Sequence, residues 1–589
     1  MAALPPYTLG DAITAVAPAR PYRRQPADPV HRPLRIYTQD PDVSMHDAPL
    51  TIAKVSYEPV EPGPVGALFR VHDENETRRE VYAPVDLDSP DVLRQQGLPA
   101  STADPRFAQQ MTYAVAMTVF ESFALALGRT PEFAAGAQGR LTIRPHFREE
   151  DNAYYDDEAA RLDFGYVFAT SDAGGRLQKG AVVFTALSHD IIAHETTHAL
   201  LDGMRPLFLM PTNPDVAAFH EAFADLVALL LRFRYRELVE RALSDATLDL
   251  SSTLLTQVAR QWGRSAGSGG AALRRVTLEA GAPDAPVDRA HQYDAGKEEH
   301  DLGAVLVAAV FDAMNRVFVR KTKHVRQLAA TPHAPQASVT ALLAAEAQKL
   351  AAEFLNILVR AIDYCPPVDV TFGEYLRALV TADAVTVPDD PCGYREALVY
   401  AFRRYGIRVD GVADLSEESL LWCPPERPLP PVDGLAFGQM SHVIEPGWPV
   451  DTAERRCRAD ALGAFVTRDD YREYFGLATP SRRDGIEPPV IQSVRTLRRL
   501  TPDRELDFHV VAEITQRRTT GRRPFHGGAT VVLDETGTVR YVVGKGVMSR
   551  HRQERTSRFL RTASPVSRRA ASGEAAGRRD LLREWHRKR

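Results

Sequence analysis

Residues 188–202 read Ser188-His-Asp-Ile-Ile-Ala-His194-Glu195-Thr-Thr-His198-Ala-Leu-Leu-Asp202, a stretch that predicts a helix. Ser188 is expected to cap its start, and the isoleucines and leucines supply an apolar face. His194 and His198 lie one helical turn apart, so they can offer two imidazole nitrogens to one metal ion. Glu195 is placed to take a proton from a water on that metal. The stretch therefore predicts half of a metal site, which needs a third ligand.

A glutamate on the next helix is the candidate third ligand. A third histidine in the pattern H-E-x-x-H-x-x-G-x-x-H is excluded, because Leu201 stands where the glycine would be. Downstream lies Phe219-His-Glu221-Ala-Phe-Ala-Asp225, in which Glu221 and Asp225 share a helix face. Glu221 would bind the metal, and Asp225 would accept the free N–H of a ligand histidine. A solvated acidic helix face is the alternative interpretation of this pair.

Length, charge and cysteine usage indicate an ordinary globular protein. The chain has 589 residues, 44% of them hydrophobic, and a net charge of -5, which points to no class of partner. Its four cysteines lack C-x-x-C spacing, so reduced thiols are expected rather than disulfides or a cysteine zinc site. Neither a secretory signal nor a run of about 18 apolar residues is recognisable. We therefore expect a soluble, cytoplasmic protein with no membrane partner.

The order of segments predicts an α+β fold. Residues 1–48 are proline-rich and polar, which is typical of a disordered or extended arm. Residues 49–203 are expected to form a β-rich lobe that ends in the H-E-x-x-H helix. Residues 204–422 are strongly helical in pattern and would complete the metal site.

The last third of the chain predicts separate, smaller parts. Residues 423–485 are rich in proline and predict a linker or surface wrap, and residues 486–548 predict a small β domain. Residues 549–589 form a basic tail, with 13 Lys and Arg against 4 Asp and Glu. Disorder is the expected state of this tail, and nucleic acid is not expected as a partner, although the tail leaves such a contact open.

Local patterns predict the individual elements. Asp104-Pro105 opens a helix that Gly128 closes, and residues 181–187 predict a buried strand before the H-E-x-x-H helix. Residues 152–165 predict a hairpin with an acidic turn. Further helices are predicted at residues 216–243, 254–262, 302–319, 339–362 and 372–382, with a loop at 263–272.

Four of these places together resemble the thermolysin family of gluzincin metallopeptidases. The family's H-E-x-T-H-A-x-x-D pattern is matched by residues 194–202, and its N-E-A-x-x-D pattern by residues 220–225 except at the first position, where His220 stands. Asn152-Ala-Tyr-Tyr and Leu162-Asp-Phe-Gly165 look like its edge strand. Glu298-Glu-His300-Asp-Leu-Gly303 resembles its segment of a histidine before a small-residue helix. The resemblance covers roughly residues 105 to 405.

The resemblance implies a two-lobed zinc endopeptidase acting on a peptide or protein. The implied zinc ligands are His194, His198 and Glu221, the implied general base is Glu195, and the implied oxyanion donor is His300. Asp225 and Asp202 are the implied carboxylates outside the ligand shell, and Asn152 and Ala153 the implied edge that pairs with substrate. Zn²⁺ is the implied cofactor, and the Ca²⁺ sites of secreted relatives are left open.

Several departures from the family keep a second function open. The segment from Arg205 to Pro214 lacks the family's oxyanion tyrosine, and Leu209 falls near its place. The substrate arginine cannot be assigned among Arg274, Arg275 and Arg289. Asp294 and Glu298 are both candidates for the acidic partner of His300. The alternative is therefore a gluzincin-fold binding or regulatory module with weak or no turnover.

Overall fold

The computed structural model describes residues 5–14, 18–41, 50–169, 180–244, 250, 257–258, 274–275, 287–329, 331, 334–440, 448–500, 505–520 and 523–587. Helices and strands both contribute, so the α+β class is confirmed. The predicted helix at 254–262 lies outside the described residues except for a two-residue strand, and the predicted loop at 263–272 lies wholly outside them.

The N-terminal half holds eleven short strands among the described residues. They are β1 Thr8–Leu9, β2 His31–Tyr37, β3 Leu50–Ser56, β4 Phe69–Val71, β5 Glu74–Asn75, β6 Glu80–Val81, β7 Leu141–Arg144, β8 Ala153–Asp156, β9 Arg161–Phe164, β10 Tyr166–Phe168 and β11 Val182–Phe184. Four of them form a sheet in the order β4-β7-β9-β8. β8 therefore lies at the edge of this sheet, antiparallel to β9, and forms the predicted hairpin.

Sixteen helices follow one another along the described chain. They are α1 Asp11–Thr14, α2 Pro90–Arg94, α3 Pro105–Leu127, α4 His189–Met204, α5 Pro214–Arg232, α6 Arg236–Ser244, α7 Glu299–Lys321, α8 Lys323–Ala329, α9 Gln336–Ala361, α10 Phe372–Thr386, α11 Tyr394–Arg404, α12 Glu417–Leu420, α13 Thr452–Val466, α14 Arg550–Thr562, α15 Pro565–Ala571 and α16 Ala575–Arg587. The H-E-x-x-H helix is α4, which packs against α3 and α5 in the main hydrophobic core.

Both predicted ends of α3 are confirmed. The Asp104 side chain accepts the N–H of Arg106 at the start, and Gly128 ends the helix with φ 66°. A side chain at Gly128 would clash with the carbonyl oxygen of Arg498, because an added Cβ would lie 1.9 Å from it. Glycine is needed here for the close approach as well as for its backbone angle.

Three local predictions were wrong in detail. The single helix expected at 216–243 breaks at Phe233 into α5 and α6, and the break brings the Tyr235 hydroxyl within 2.8 Å of His189 Nε2. The buried strand expected at 181–187 is β11 followed by a 3-10 helix. Ser188 stands at the start of α4, but its hydroxyl makes no capping hydrogen bond.

A second sheet is built from the C-terminal segment and the N-terminal arm. Its strands are β14 Val490–Leu500, β15 Leu506–Thr520, β16 Arg523–Leu533 and β17 Val539–Lys545, and the remaining strands β12 Gln257–Val258 and β13 Arg274–Arg275 form a separate pair. β1 adds to this sheet parallel to β14. Of the two states expected for the arm, disordered or extended, β1 and β2 have the extended one, and β2 pairs with β3. One sheet face packs into the main core, and the other packs on α13.

The basic tail is helical, so the prediction of disorder was wrong for residues 550–587. It forms α14, α15 and α16. Leu581 and Leu582 are buried in the main core, and Arg552 of α14 forms an ion pair with the buried Asp369. Composition alone favoured a solvated tail, but these apolar and charged contacts hold the helices against the rest of the protein.

Two helices, α3 and α7, are long and apolar enough to cross a membrane. Their most apolar windows are 83% and 78% buried inside the protein, which is typical of core helices. This burial gives them a structural role in the fold.

Candidate metal centre

Two neighbouring helices bring the predicted ligands together. His194 and His198 of α4 and Glu221 of α5 each offer an atom within 4.8 Å of the others, and all three side chains are buried. The two Nε2 atoms are 2.9 Å apart, and they lie 3.5 Å and 3.3 Å from the Glu221 oxygens. Tetrahedral zinc with bonds of about 2.1 Å spaces its ligand atoms about 3.4 Å apart. The three side chains therefore fit a zinc ion.

The second ring nitrogen, Nδ1, of each ligand histidine also has a polar partner. Asp225 Oδ1 lies 2.9 Å from His194 Nδ1, and His220 Nδ1 lies 2.7 Å from His198 Nδ1. Burial, followed by the nearby His198, lowers the pKa of His220 well below its ordinary value, which favours its neutral form. With Nδ1 of each ligand engaged, both Nε2 atoms are directed at the centre.

His220 has a role that the sequence did not assign to it. It stands where the resembled family has asparagine, and the sequence marks it only as a departure. A neutral imidazole nitrogen can accept the His198 N–H as an asparagine oxygen would. The sequence feature that could have revealed this role is the position of His220 directly before Glu221, in the helix turn that faces α4.

Glu195 connects the centre to the edge strand. Its carboxylate is buried and accepts the Tyr155 N–H of β8 at 3.1 Å. The Tyr155 hydroxyl donates to Asp202, one turn beyond His198, at 2.9 Å. Burial and the neighbouring Asp157 raise the pKa of Asp202 to about 7. Tyr155 thus joins β8 to α4 by two hydrogen bonds. The role of Asp202 is to hold the edge strand through the Tyr155 hydroxyl.

His300 lies beside the third ligand. It is in the first turn of α7, with Nδ1 3.3 Å from Glu221 Oε2. Of its two predicted acidic partners, Glu298 accepts the backbone N–H of His300, and Asp294 accepts that of Gly296. The carboxylate next to the His300 imidazole is that of Glu221 instead.

Close packing of α7 on α5 sets the position of His300. An added Cβ at Gly303 would come within 3.0 Å of the Ala218 carbonyl oxygen, so a larger residue would push the two helices apart. Gly303 is one turn beyond His300, and its small size lets the histidine reach the centre.

The predicted substrate edge is covered by the chain itself. Asn152 and Ala153 are buried, and the Asn152 amide donates to the carbonyl oxygen of Arg583 in α16 at 3.4 Å. Ala153 lies opposite Phe164 of β9 in the register of the sheet.

The segment after α4 offers no hydroxyl near the centre. Leu209 is buried in a 3-10 helix, and Arg205 is turned away towards Thr530 of β16 at 2.9 Å. Arg289 is exposed in a short 3-10 helix, and the side chains of Arg274 and Arg275 lie outside the described residues. The missing tyrosine therefore has no replacement from this segment.

The centre combines three ligand atoms, a carboxylate that can move a proton and an imidazole that can donate a hydrogen bond. Metal-assisted hydrolysis uses groups of these kinds. No protein-family model matches the chain, and no curated protein matches it significantly.

Proposed function

We propose that this chain is a zinc-dependent endopeptidase of the cytoplasm, with the two-lobed arrangement of the thermolysin-like family. The observation that carries the proposal is the convergence of His194, His198 and Glu221, with Glu195 on the same helix turn. Along the chain, strands β2 to β11 precede α4, and a run of helices begins with α5, which supports this arrangement.

Zinc bound by these ligands would supply Lewis acidity, which lowers the pKa of water towards about 7 and polarises a peptide carbonyl. Glu195 would take the proton of the attacking water and pass it to the leaving amine. The Tyr155 N–H keeps the Glu195 carboxylate in place. His300 would donate a hydrogen bond to the negative charge that develops on the substrate oxygen.

Substrate would be held by the edge of the four-stranded sheet. An extended peptide can add to an open edge through backbone hydrogen bonds, which hold it straight and leave its side chains to give specificity. β8 is the outermost strand of this sheet, with α16 packed on it in this structure, and its Tyr155 N–H points at Glu195. A peptide along β8 would therefore pass next to the proposed base.

Metal removal tests this function directly. We expect the purified full-length chain to hold about one zinc ion, and its hydrolysis of casein to stop with 1,10-phenanthroline and return with added zinc, because the ligand set matches zinc. Zinc content is measured by mass spectrometry and hydrolysis by peptide release. Absence of stoichiometric zinc, or hydrolysis that the chelator leaves intact, would show that the proposal is wrong.

Asp225→Ala is expected to lower zinc affinity by about 10- to 100-fold, because His194 loses the acceptor that orients its ring. Competition with a chromophoric chelator measures this change. Asp202→Asn is the control: Asp202 is also a buried carboxylate, in α4 itself, but it contacts Tyr155, so zinc affinity should stay as in the wild type. Equal affinities for Asp225→Ala and wild type would remove Asp225 from the centre.

A further inference from the structure

The outer side of β8 is occupied by a helix of the same chain. α16 packs along β8, whose four residues are all buried. The side-chain amide of Asn152, a residue that the family resemblance places at the substrate edge, donates to the Arg583 carbonyl oxygen. A backbone carbonyl of the tail thus occupies the hydrogen-bonding position of the Asn152 side chain.

Two arginines hold α16 at the two ends of the strand. Before β8, an Arg583 guanidinium nitrogen lies 3.1 Å from Glu150 Oε1, and the guanidinium lies 5.3 Å from the centre of the Tyr154 ring. After β8, Arg578 Nε lies 3.6 Å from Asp157 Oδ2. Basic side chains of the tail therefore meet acidic side chains on both flanks of the edge, as complementary interfaces do.

Apolar and close-packed contacts fix the helix in the same position. Leu581 and Leu582 are 1% and 0% exposed and belong to the main core. An added Cβ at Gly577 would lie 2.6 Å from the Ala570 nitrogen, so α15 and α16 form a tight helical hairpin. Arg569 and Asp580 join the two helices at 3.1 Å. The hairpin is a built part of the fold.

We propose that the edge of β8 is a docking surface whose occupant is the chain's own helix α16, and that the docked helix keeps peptides away from the candidate metal centre. This regulation rests on the proposed function. A helix and an extended peptide cannot occupy one strand edge together, so access to Glu195 requires α16 to leave. Both arginines are about a third exposed, so competing charges and salt can reach the pairs that hold it.

Reversal of both arginine charges in the full-length chain tests the docking. In R578E/R583E, two attractions become repulsions, so the affinity of the zinc-loaded protein for a fluorescein-labelled dipeptide hydroxamate and its kcat/KM on casein should each rise by about tenfold or more. R558E makes the same charge change at an exposed arginine of α14 and should match the wild type. The swap E150R/R583E restores one pair and should return hydroxamate affinity to that of the wild type.

Hydrogen exchange of α16 separates the outcomes. The amides of residues 575–587 should exchange faster in R578E/R583E than in the wild type, and slowly in E150R/R583E. Protected amides in R578E/R583E would overturn the proposal, and so would freely exchanging amides with unchanged hydroxamate affinity. If affinity rises and zinc is present but no variant hydrolyses peptide, the docking stands and the endopeptidase assignment fails. A chain without zinc would overturn both.

Discussion

Glu195→Gln is expected to lower the rate of casein hydrolysis by about 10²- to 10⁴-fold while about one zinc ion stays bound per chain. Glutamine has nearly the same shape as glutamate, and its amide oxygen can still accept the Tyr155 N–H. It cannot take a proton from water at neutral pH. The three ligand side chains are unchanged, so zinc binding and catalysis should separate in this one variant.

The rate is measured in the wild-type and R578E/R583E backgrounds, so that a covered edge does not hide the effect. Glu237→Gln, at an exposed position of α6, is the control and should leave both the rate and the zinc content unchanged. Equal hydrolysis by Glu195→Gln and wild type would show that another group acts as the base. Loss of zinc in Glu195→Gln would show instead that Glu195 supports the ligand set.

Short-range patterns predicted the elements around the centre. The spacing of His194 and His198 depends only on helix geometry, and the limits of α3 follow from a proline, a capping aspartate and a glycine within one chain segment. Glu221 and Asp225 were predicted by the same helical spacing. Such features are local, and the residues that determine them are neighbours in the sequence.

Long-range contacts explain the features that the sequence did not predict. Arg583 and Glu150 are 433 positions apart, and β1 joins a sheet whose other strands lie near the opposite end of the chain. A basic tail with alanine and serine has the composition of a solvated segment, and only its partners on the folded protein distinguish it from one. The break between α5 and α6 also depends on a distant contact, because His189, the hydrogen-bond partner of Tyr235, lies on another helix.

Asp369→Asn is expected to lower the free energy of unfolding by about 3–5 kcal/mol. The Asp369 side chain is fully buried, and its Oδ2 lies 2.9 Å from Arg552 Nε, 2.7 Å from an Arg555 guanidinium nitrogen and 3.9 Å from Lys545 Nζ. Removal of its charge leaves these cations facing one another in a region of low dielectric constant. Asn suits the test because the residue has φ 58°, which Asn tolerates better than most residues. Urea unfolding at pH 7 measures the change, and Asp470→Asn at an exposed turn is the control.

The pH dependence shows whether charge is the cause. Burial alone would raise the pKa of Asp369, but Lys545, Arg552 and Arg555 outweigh burial and hold it well below its usual range. Because the folded pKa lies below the unfolded value of about 3.9, the charge stabilises fully above that value, and the stabilisation is lost as pH falls below it. The stability difference between wild type and Asp369→Asn should therefore narrow below about pH 4.

An equal difference at pH 7 and pH 3 would point to the hydrogen bond that Asp369 accepts from Asn213. Since Asn213 caps the helix that carries the third ligand, that outcome would place the main role of Asp369 at the start of α5 and predict weaker zinc binding in the same variant.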